Sequence, residues 1–262
     1  MITILISVTR LKSLMETEAV TKRFTEILGK DAGLFKASII SAINGNDKLM
    51  KCEPMSVIAS SIIAATLKLP ITPGLGFAHI VPYKDTATFQ IGWKGLVQLG
   101  LRSGQYKTMN TAVVYEGQLV ESNPFTGDLK LDPNAKTSDK IVGYLFYFRL
   151  MNGFEKYTYF TTDEVKAHAK RYSASFRAGF GPWVDNFDSQ ALKTVVKMGL
   201  SKWGVLSVDM QTAIVEDESS DGKFPDAVPT EAEPAPRAAE STSSRLRNAV
   251  ESNVVDDKEM PI

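Results

Sequence analysis

Residues 76–107, GFAHIVPYKDTATFQIGWKGLVQLGLRSGQYK, decide the fold of the chain. Lysines and an arginine alternate there with aromatic and amide side chains, and Asp85 is the single acid. This combination is suited to holding a polyanion while flat rings remain available to bases. An ordinary solvated helix edge gives a similar pattern. The predicted elements are a strand (Ala78–Val81), a turn (82–85), a second strand (Thr86–Ile91) and a helix (Trp93 to about Ser103).

The rest of the chain separates helical patterns from strand patterns. The stretch 141–151 is apolar on both faces except at Arg149, which indicates a central strand, and Asn152-Gly153 predicts a type I′ turn after it. We therefore predict an α+β fold, with a small antiparallel sheet or hairpins packed against several helices. The predicted helices are Leu14–Gly29, Ala32–Ile43, Ser56–Leu69, a helix after a Thr161–Glu164 capping box, and Asp185–Trp203. The predicted β segments are Tyr106–Val120, a hairpin arm or mobile excursion (121–138), Ile141–Met151 and Phe154–Phe160.

Charge is distributed unevenly along the chain, although the formal net charge is zero. Residues 206–262 hold 13 acidic and 5 basic residues, which leaves −8 there and +8 on the first 205. Such asymmetry indicates a polyanion partner, and ordinary solvated surface is the alternative. After Glu216 the chain is rich in Pro, Glu, Ala and Ser, so it buries too little apolar area to fold. We predict an extension (1–13), a core (14–216) and a disordered acidic tail (217–262).

The opening residues, MITILISVTRLK, are apolar but too short to span a bilayer, and no basic segment precedes them. They fit a strand or a non-native extension of the reading frame. No later segment approaches a membrane-spanning length, so we expect a cytoplasmic protein without membrane contact. Cys52 is the only cysteine, which excludes an internal disulfide and a multi-cysteine metal site.

Two helix edges are candidate phosphate-contacting surfaces. Lys94, Gln98 and Arg102 are spaced by four residues and therefore lie on one helix face. The same spacing recurs at Lys193 and Lys197 on the last predicted helix. If the two helices lie side by side, these edges form the two rails of a groove along a nucleic-acid backbone. A core helix with a solvated edge explains each pattern equally well.

Aromatic residues next to lysines form a second group of candidates, as in single-strand binders of low sequence specificity. Tyr83-Lys84 occupies a hairpin tip, whereas Trp93 and Tyr106 are also compatible with a core position. A further basic stretch runs from Glu164 to Asp185, because no acid lies between them. The candidates outside the two helix edges are Tyr83, Lys84, Trp93, Lys107, Arg171 and Arg177.

Motifs of catalysis are missing from the sequence. No G-x-x-x-x-G-K-[ST] phosphate loop occurs, and the two histidines, His79 and His168, are not in H-E-x-x-H spacing. The acids of 163–164 and 185–188 fit helix starts, with a two-metal nuclease cluster as the remote alternative. We expect a protein that is not an enzyme and that binds no metal or cofactor.

Five segments together resemble the RecT family of phage and prophage single-strand annealing recombinases. They are LxLPI (67–71), GFAHIVPYK (76–84), FQIGWKGLVQLGLRSGQYK (89–107), GYLFYFRLMNGFEK (143–156) and LKTVVKMGLSKWG (192–204). The resemblance covers about residues 14–218, in the family's order. It implies an α/β core around a small antiparallel sheet and a helical or ring-like homo-oligomer. It also implies ATP-independent binding of single-stranded DNA, annealing to a complement and retention of the duplex.

The resemblance also implies a 5′→3′ exonuclease partner that produces the single strand, in the cytoplasm of a bacterial host. The acidic tail could compete with DNA, dock that exonuclease or a host single-strand-binding protein, or act only as a solubilising segment. Carried onto this sequence, the DNA-binding residues are Tyr83, Lys84, Trp93, Lys94, Gln98, Arg102, Lys107, Arg171, Arg177, Lys193 and Lys197. The alternatives from other classes are a metal-dependent nuclease and a structural phage oligomer.

Overall fold

Helices and antiparallel strands occur in separate runs along residues 2–220, the part of the chain that a computed structural model describes. They confirm the predicted α+β class, with small antiparallel sheets packed among helices. The helices are α1 (Ile2–Met15), α2 (Glu18–Leu28), α3 (Ala32–Asn44), α4 (Pro54–Thr66), α5 (Trp93–Arg102), α6 (Thr162–Tyr172), α7 (Ala174–Arg177), α8 (Pro182–Asp185), α9 (Phe187–Trp203) and α10 (Val208–Ser220). The strands are β1 (Ala78–Tyr83), β2 (Thr86–Ile91), β3 (Tyr106–Tyr115), β4 (Leu119–Asn123), β5 (Asp128–Leu131), β6 (Ile141–Leu150) and β7 (Glu155–Thr161).

The N-terminal segment is helical, so the prediction of a strand there is wrong. Helix α1 ends at Met15, and Thr17 starts a new helix after extended backbone, which divides the single helix predicted over 14–29. Leu11 and Met15 are buried in the core, at 3% and 2% exposure. The end of the predicted extension therefore packs with the core rather than lying outside it. No helix within residues 2–220 is both long enough and apolar enough to cross a membrane.

The three-stranded sheet has the order β3-β6-β7, which confirms that β6 is a central strand. One face of β6 carries Tyr144, Phe146 and Phe148, all buried, and α9 packs against this face. Helix and sheet approach closely at Gly199, where an added Cβ would lie 2.6 Å from Phe146 Cδ1. Burial of these aromatic rings against α9 supplies much of the hydrophobic stabilisation of this half of the core.

Two local predictions about the turns around β6 and β7 have different outcomes. The capping box is confirmed, because Thr161 Oγ1 accepts from Glu164 N–H at 3.2 Å and Glu164 Oε2 accepts from Thr161 N–H at 2.8 Å. The prediction of a type I′ turn is wrong, because such a turn requires positive φ at both central residues and only Gly153 of the Asn152-Gly153 pair has it.

The hairpin arm predicted over 121–138 corresponds to the hairpin β4–β5, which begins at Leu119.

Helix α10 is the largest difference from the predicted organisation. The sequence predicted a disordered tail from residue 217, yet α10 continues to Ser220 and Asp217 is fully buried within it. The sequence predicted no helix after Trp203, because the acid-rich composition that begins at Glu216 hid the end of this 13-residue helix. The remainder of the predicted tail, residues 221–262, lies outside the described residues.

Candidate nucleic-acid interface

The hairpin β1–β2 is fixed at its tip by helix α4. Asp85 O accepts from Glu53 N–H at 2.7 Å, immediately before α4 begins. Two serines of α4 reach the hairpin: Ser56 Oγ accepts from Ala87 N–H, and Ser60 Oγ donates to Ala87 O, both at 2.9 Å. The tip is thereby held in position rather than projecting as a free ribbon. Sequence reasoning missed these serines, because nothing in an apolar helix pattern indicates which strand it meets.

The tip itself exposes the predicted aromatic and cationic pair. The side chain of Tyr83 is 59% exposed, and Lys84 is exposed. Lys84 has φ of 55°, a conformation uncommon for residues other than glycine. This conformation closes the two-residue turn Lys84-Asp85 between the strands. The turn therefore presents one ring and one ammonium group at the outermost point of the hairpin.

Helix α5 starts at the open end of the same hairpin and is pressed against the chain that precedes β1. A Cβ added at Gly95 would collide with the carbonyl oxygen of Phe77, so only glycine permits this approach. Lys94 is exposed, with its Nζ 5.8 Å from the Trp93 ring, within the range of a cation–π contact. Trp93 is partly buried against the core. It therefore packs in the core, as one interpretation predicted, and still leaves part of its ring accessible.

The other two members of the predicted α5 edge differ from Lys94. Gln98 is half-buried. Arg102 is exposed, but its guanidinium donates to Leu67 O at 2.9 Å and to Lys68 O at 3.1 Å. These carbonyls follow the C-terminus of α4, so Arg102 satisfies groups that the helix leaves unpaired. The structure thus gives Arg102 a structural role that spacing on a helix did not indicate.

Helices α5 and α9 do lie side by side, but the predicted second rail is ion-paired. Lys193 Nζ lies 2.7 Å from Asp217 Oδ1, and Lys197 Nζ lies 3.0 Å from Asp217 Oδ2. Ile91 N–H, at the end of β2, also donates to Asp217 Oδ1 at 3.1 Å. The two lysine side chains are 14% and 17% exposed. The sequence treated them as unpaired, because their acidic partner was assigned to the tail.

The electrostatic surroundings of Asp217 have opposing contributions. Burial by itself would raise the pKa of this carboxyl, because a charge is poorly solvated in the interior. The charges and hydrogen bonds of Lys193 and Lys197 outweigh that cost and hold the pKa below its ordinary value. Asp217 therefore remains ionised and cancels part of the lysine charge on this side of α9.

One lysine of α9, Lys197, also acts on a histidine of helix α6. The pKa of His168 is lowered, first by desolvation and then by the positive charges of Lys197 and Arg171. Arg171 and Lys197 therefore both lie close enough to His168 for their charges to act on it. Neither histidine was a candidate in the sequence, because a lone histidine gives no signal of which cations surround it.

Comparison with known proteins decides the family. A model described as "RecT family" matches residues 33–233, more than half of the chain. The chain belongs to the RecT family. Membership implies, in general terms, a role in single-strand annealing recombination, and the resemblance found in the sequence is thereby confirmed.

Two relatives define the extent of the match. The chain is 48% identical over 210 residues to "Uncharacterized protein YqaK" of Bacillus subtilis strain 168, covering 80% of this chain and 72% of that protein. It is 26% identical over 184 residues to "Protein RecT" of Escherichia coli strain K12, covering 65% of each chain. The match with RecT therefore spans just under two thirds of that relative's length.

The remaining predicted residues of this RecT-family chain lie on separate elements. Lys107 is exposed at an irregularity at the start of β3. Arg177 donates to Lys170 O at 2.9 Å and to Arg171 O at 3.0 Å, and so caps the end of α6. The guanidinium of Arg171 lies 5.3 Å from the Tyr172 ring. Among residues 9–218, no group of three or more His, Cys, Asp and Glu side chains is placed to hold a metal ion.

Proposed function

We propose that this RecT-family protein binds single-stranded DNA and anneals complementary strands without ATP or a metal. Membership of the RecT family carries the proposal, because that family implies annealing recombination in general. Residues 1–220 hold 25 basic and 21 acidic residues, and this positive excess supports a polyanionic ligand, since each neutralised phosphate releases counterions. Catalysis of bond cleavage is not part of this role: the protein concentrates and orients strands, and base pairing supplies the selectivity.

The proposed contact surface includes the tip of β1–β2 and, from the opposite end of this hairpin, helix α5. Tyr83 and Trp93 offer ring surface to bases, and Lys84 and Lys94 offer charge to phosphates. Gln98, Arg102 and Lys107 follow along the same path as polar or cationic contacts. The further cationic residues of the proposed surface are Arg171, Arg177, Lys193 and Lys197. Lys193 and Lys197 already bind Asp217. We therefore propose that they attract the DNA backbone electrostatically from a distance and do not contact a phosphate directly.

The proposal includes assembly and partners. Strands β3 and β7 form the two edges of the described sheet, and an edge offers backbone groups to another copy of the chain. We propose a ring-like or helical homo-oligomer in the cytoplasm of a bacterial host, which retains the annealed duplex. A 5′→3′ exonuclease and the host single-strand-binding protein are the proposed partners, docking through the acidic C-terminal residues.

Annealing of two labelled complementary oligonucleotides tests the proposal. Fluorescence transfer between the strands is followed without ATP or divalent metal, with and without protein, across a salt titration. The expected result is faster annealing with protein, with weaker strand binding as salt rises. No acceleration at any salt concentration would overturn the proposal. Cleavage of either strand when Mg²⁺ is added would favour the nuclease alternative instead.

A further inference from the structure

An aromatic and cationic cluster lies at the C-terminal end of α9, apart from the surface proposed above. The Trp203 ring is 43% exposed. Lys156 Nζ lies 5.1 Å and Lys202 Nζ 5.3 Å from the centre of this ring. The three side chains come from α9 and β7, so the fold and not the local sequence brings them together. Both ammonium groups are within cation–π distance of a ring that remains accessible.

The turn between β4 and β5 fixes one of these ammonium groups. Lys156 Nζ donates to Thr126 O at 2.9 Å. Gly127, the next residue, has φ of 75° and lies directly against the same ammonium group. Phe125, next in the turn, is 97% exposed. The turn that holds Lys156 thus also carries a second, exposed aromatic side chain.

The charges of this cluster are not neutralised by neighbouring acids. Lys156 and Lys202 form no ion pair with the carboxylates of residues 9–218. Lys197, which is paired with Asp217, is in the opposite situation. Trp203 follows Lys197 by six residues, which places it about 9 Å further along α9 and about 120° around its axis. The cluster thus faces a different direction from the lysines bound to Asp217.

We infer that Trp203, Lys156, Lys202 and Phe125 form a second surface for single-stranded nucleic acid, which engages the strand being annealed. An exposed ring flanked by ammonium groups can stack on a base while the cations meet the adjacent phosphates. The inference rests on the proposed annealing function and adds to it a separate place for the second strand. The incoming strand is then concentrated beside the bound one before pairing begins.

Two variants separate the charges from the ring. Lys156→Gln with Lys202→Gln removes both cations, and Trp203→Ala removes the stacking surface. Trp203→Phe keeps a ring and serves as the conservative rescue. Lys22→Gln with Lys30→Gln removes two exposed lysines from the α2 region and is the charge-matched control. Circular dichroism and urea unfolding establish that each variant is folded before its activity is compared.

The assay first measures the affinity for one labelled oligonucleotide by anisotropy, and then the annealing rate when the complement is added to the preloaded protein. We expect first-strand affinity to change less than about twofold and the annealing rate to fall about tenfold in the double-lysine variant and in Trp203→Ala. Trp203→Phe should recover most of the rate, and the control should match the wild type.

Three results would overturn the inference while leaving the annealing function intact. One is an unchanged annealing rate in folded variants. Another is an equal loss of first-strand affinity, which would assign the cluster to a single continuous site. The third is unchanged annealing together with lost binding of a labelled peptide of residues 248–262, which would identify a docking site for acidic peptides. If the wild-type protein itself does not accelerate annealing, the proposed function fails instead.

Discussion

Asp217 of α10 accepts a hydrogen bond from Lys193 of α9 at 2.7 Å, and this pair joins the last described helix to the core. The carboxylate also accepts from Lys197 at 3.0 Å and from Ile91 N–H at 3.1 Å. Its side chain is 1% exposed, so solvent does not replace these partners. One buried charge thereby links α10, α9 and the end of β2. Two predictions follow from this carboxylate.

Replacing Asp217 tests the first of them. Asp217→Ala should lower the free energy of unfolding by about 3–5 kcal/mol, because it leaves the Lys193 charge without its buried carboxylate and leaves Lys197 beside the exposed Glu218, at 3.5 Å. Urea denaturation followed by circular dichroism measures the change. The control is Glu26→Ala, which removes an exposed carboxylate 3.9 Å from Arg23 and should cost at most about 1 kcal/mol. Similar losses in the two variants would contradict a structural role for Asp217.

The same carboxylate predicts a dependence of stability on pH. Its pKa in the folded state lies below 3.8, so its contribution to stability is complete above that value and is lost as the pH falls through the lower, folded-state pKa. The stability difference between the wild type and Asp217→Asn should therefore be constant near neutral pH and shrink in acid. Urea midpoints from about pH 7 to about pH 2.5 measure it. A stability difference that grows on acidification would show that folding raises the pKa of Asp217 instead of lowering it.

Gly95 is the residue that lets α5 lie against the chain before β1. Gly95→Ala should destabilise the protein by about 1–3 kcal/mol, because its Cβ collides with the carbonyl oxygen of Phe77. Helix propensity alone favours alanine by about 0.5–1 kcal/mol. Gly33→Ala is the matched control in α3, where an added Cβ meets no atom within 4 Å, so it should be neutral or stabilising. Thermal unfolding of both variants separates the close contact from propensity.

The sequence predicted local structure well and long-range pairing poorly. Periodicity located β6 as the central strand, and local hydrogen-bonding chemistry located the capping box at Thr161, since both depend on neighbours in the chain. The ion pair of Lys193 with Asp217 and the capping of α4 by Arg102 depend on contacts 24 and 35 residues apart. A lysine stripe has the same spacing whether its partner is a phosphate or a buried carboxylate. Spacing therefore identified candidate cations but could not identify which of them were already paired.

Lys84 and Lys94 are the sharpest test of the proposed DNA surface, because both are exposed and neither forms an ion pair with the carboxylates of residues 9–218. Lys84→Gln with Lys94→Gln should weaken single-strand binding. It should also reduce the slope of log affinity against log salt concentration by about 1.4, or about 0.7 for each lost phosphate contact. Anisotropy titrations at several salt concentrations measure both quantities.

Arg102→Gln is compared with the Lys84 and Lys94 variant, because Arg102 has a structural role in the protein without DNA and the two lysines form no ion pair with the carboxylates of residues 9–218. Its guanidinium binds the carbonyls of Leu67 and Lys68, so its loss should lower stability by about 1–3 kcal/mol whether or not DNA is present. Because Arg102 is also one of the proposed phosphate contacts, its variant should show a reduced salt slope as well, and an unchanged slope would leave Arg102 with its capping role alone. An unchanged slope in the Lys84 and Lys94 variant, with the protein folded, would remove the hairpin tip and the start of α5 from the path of the strand.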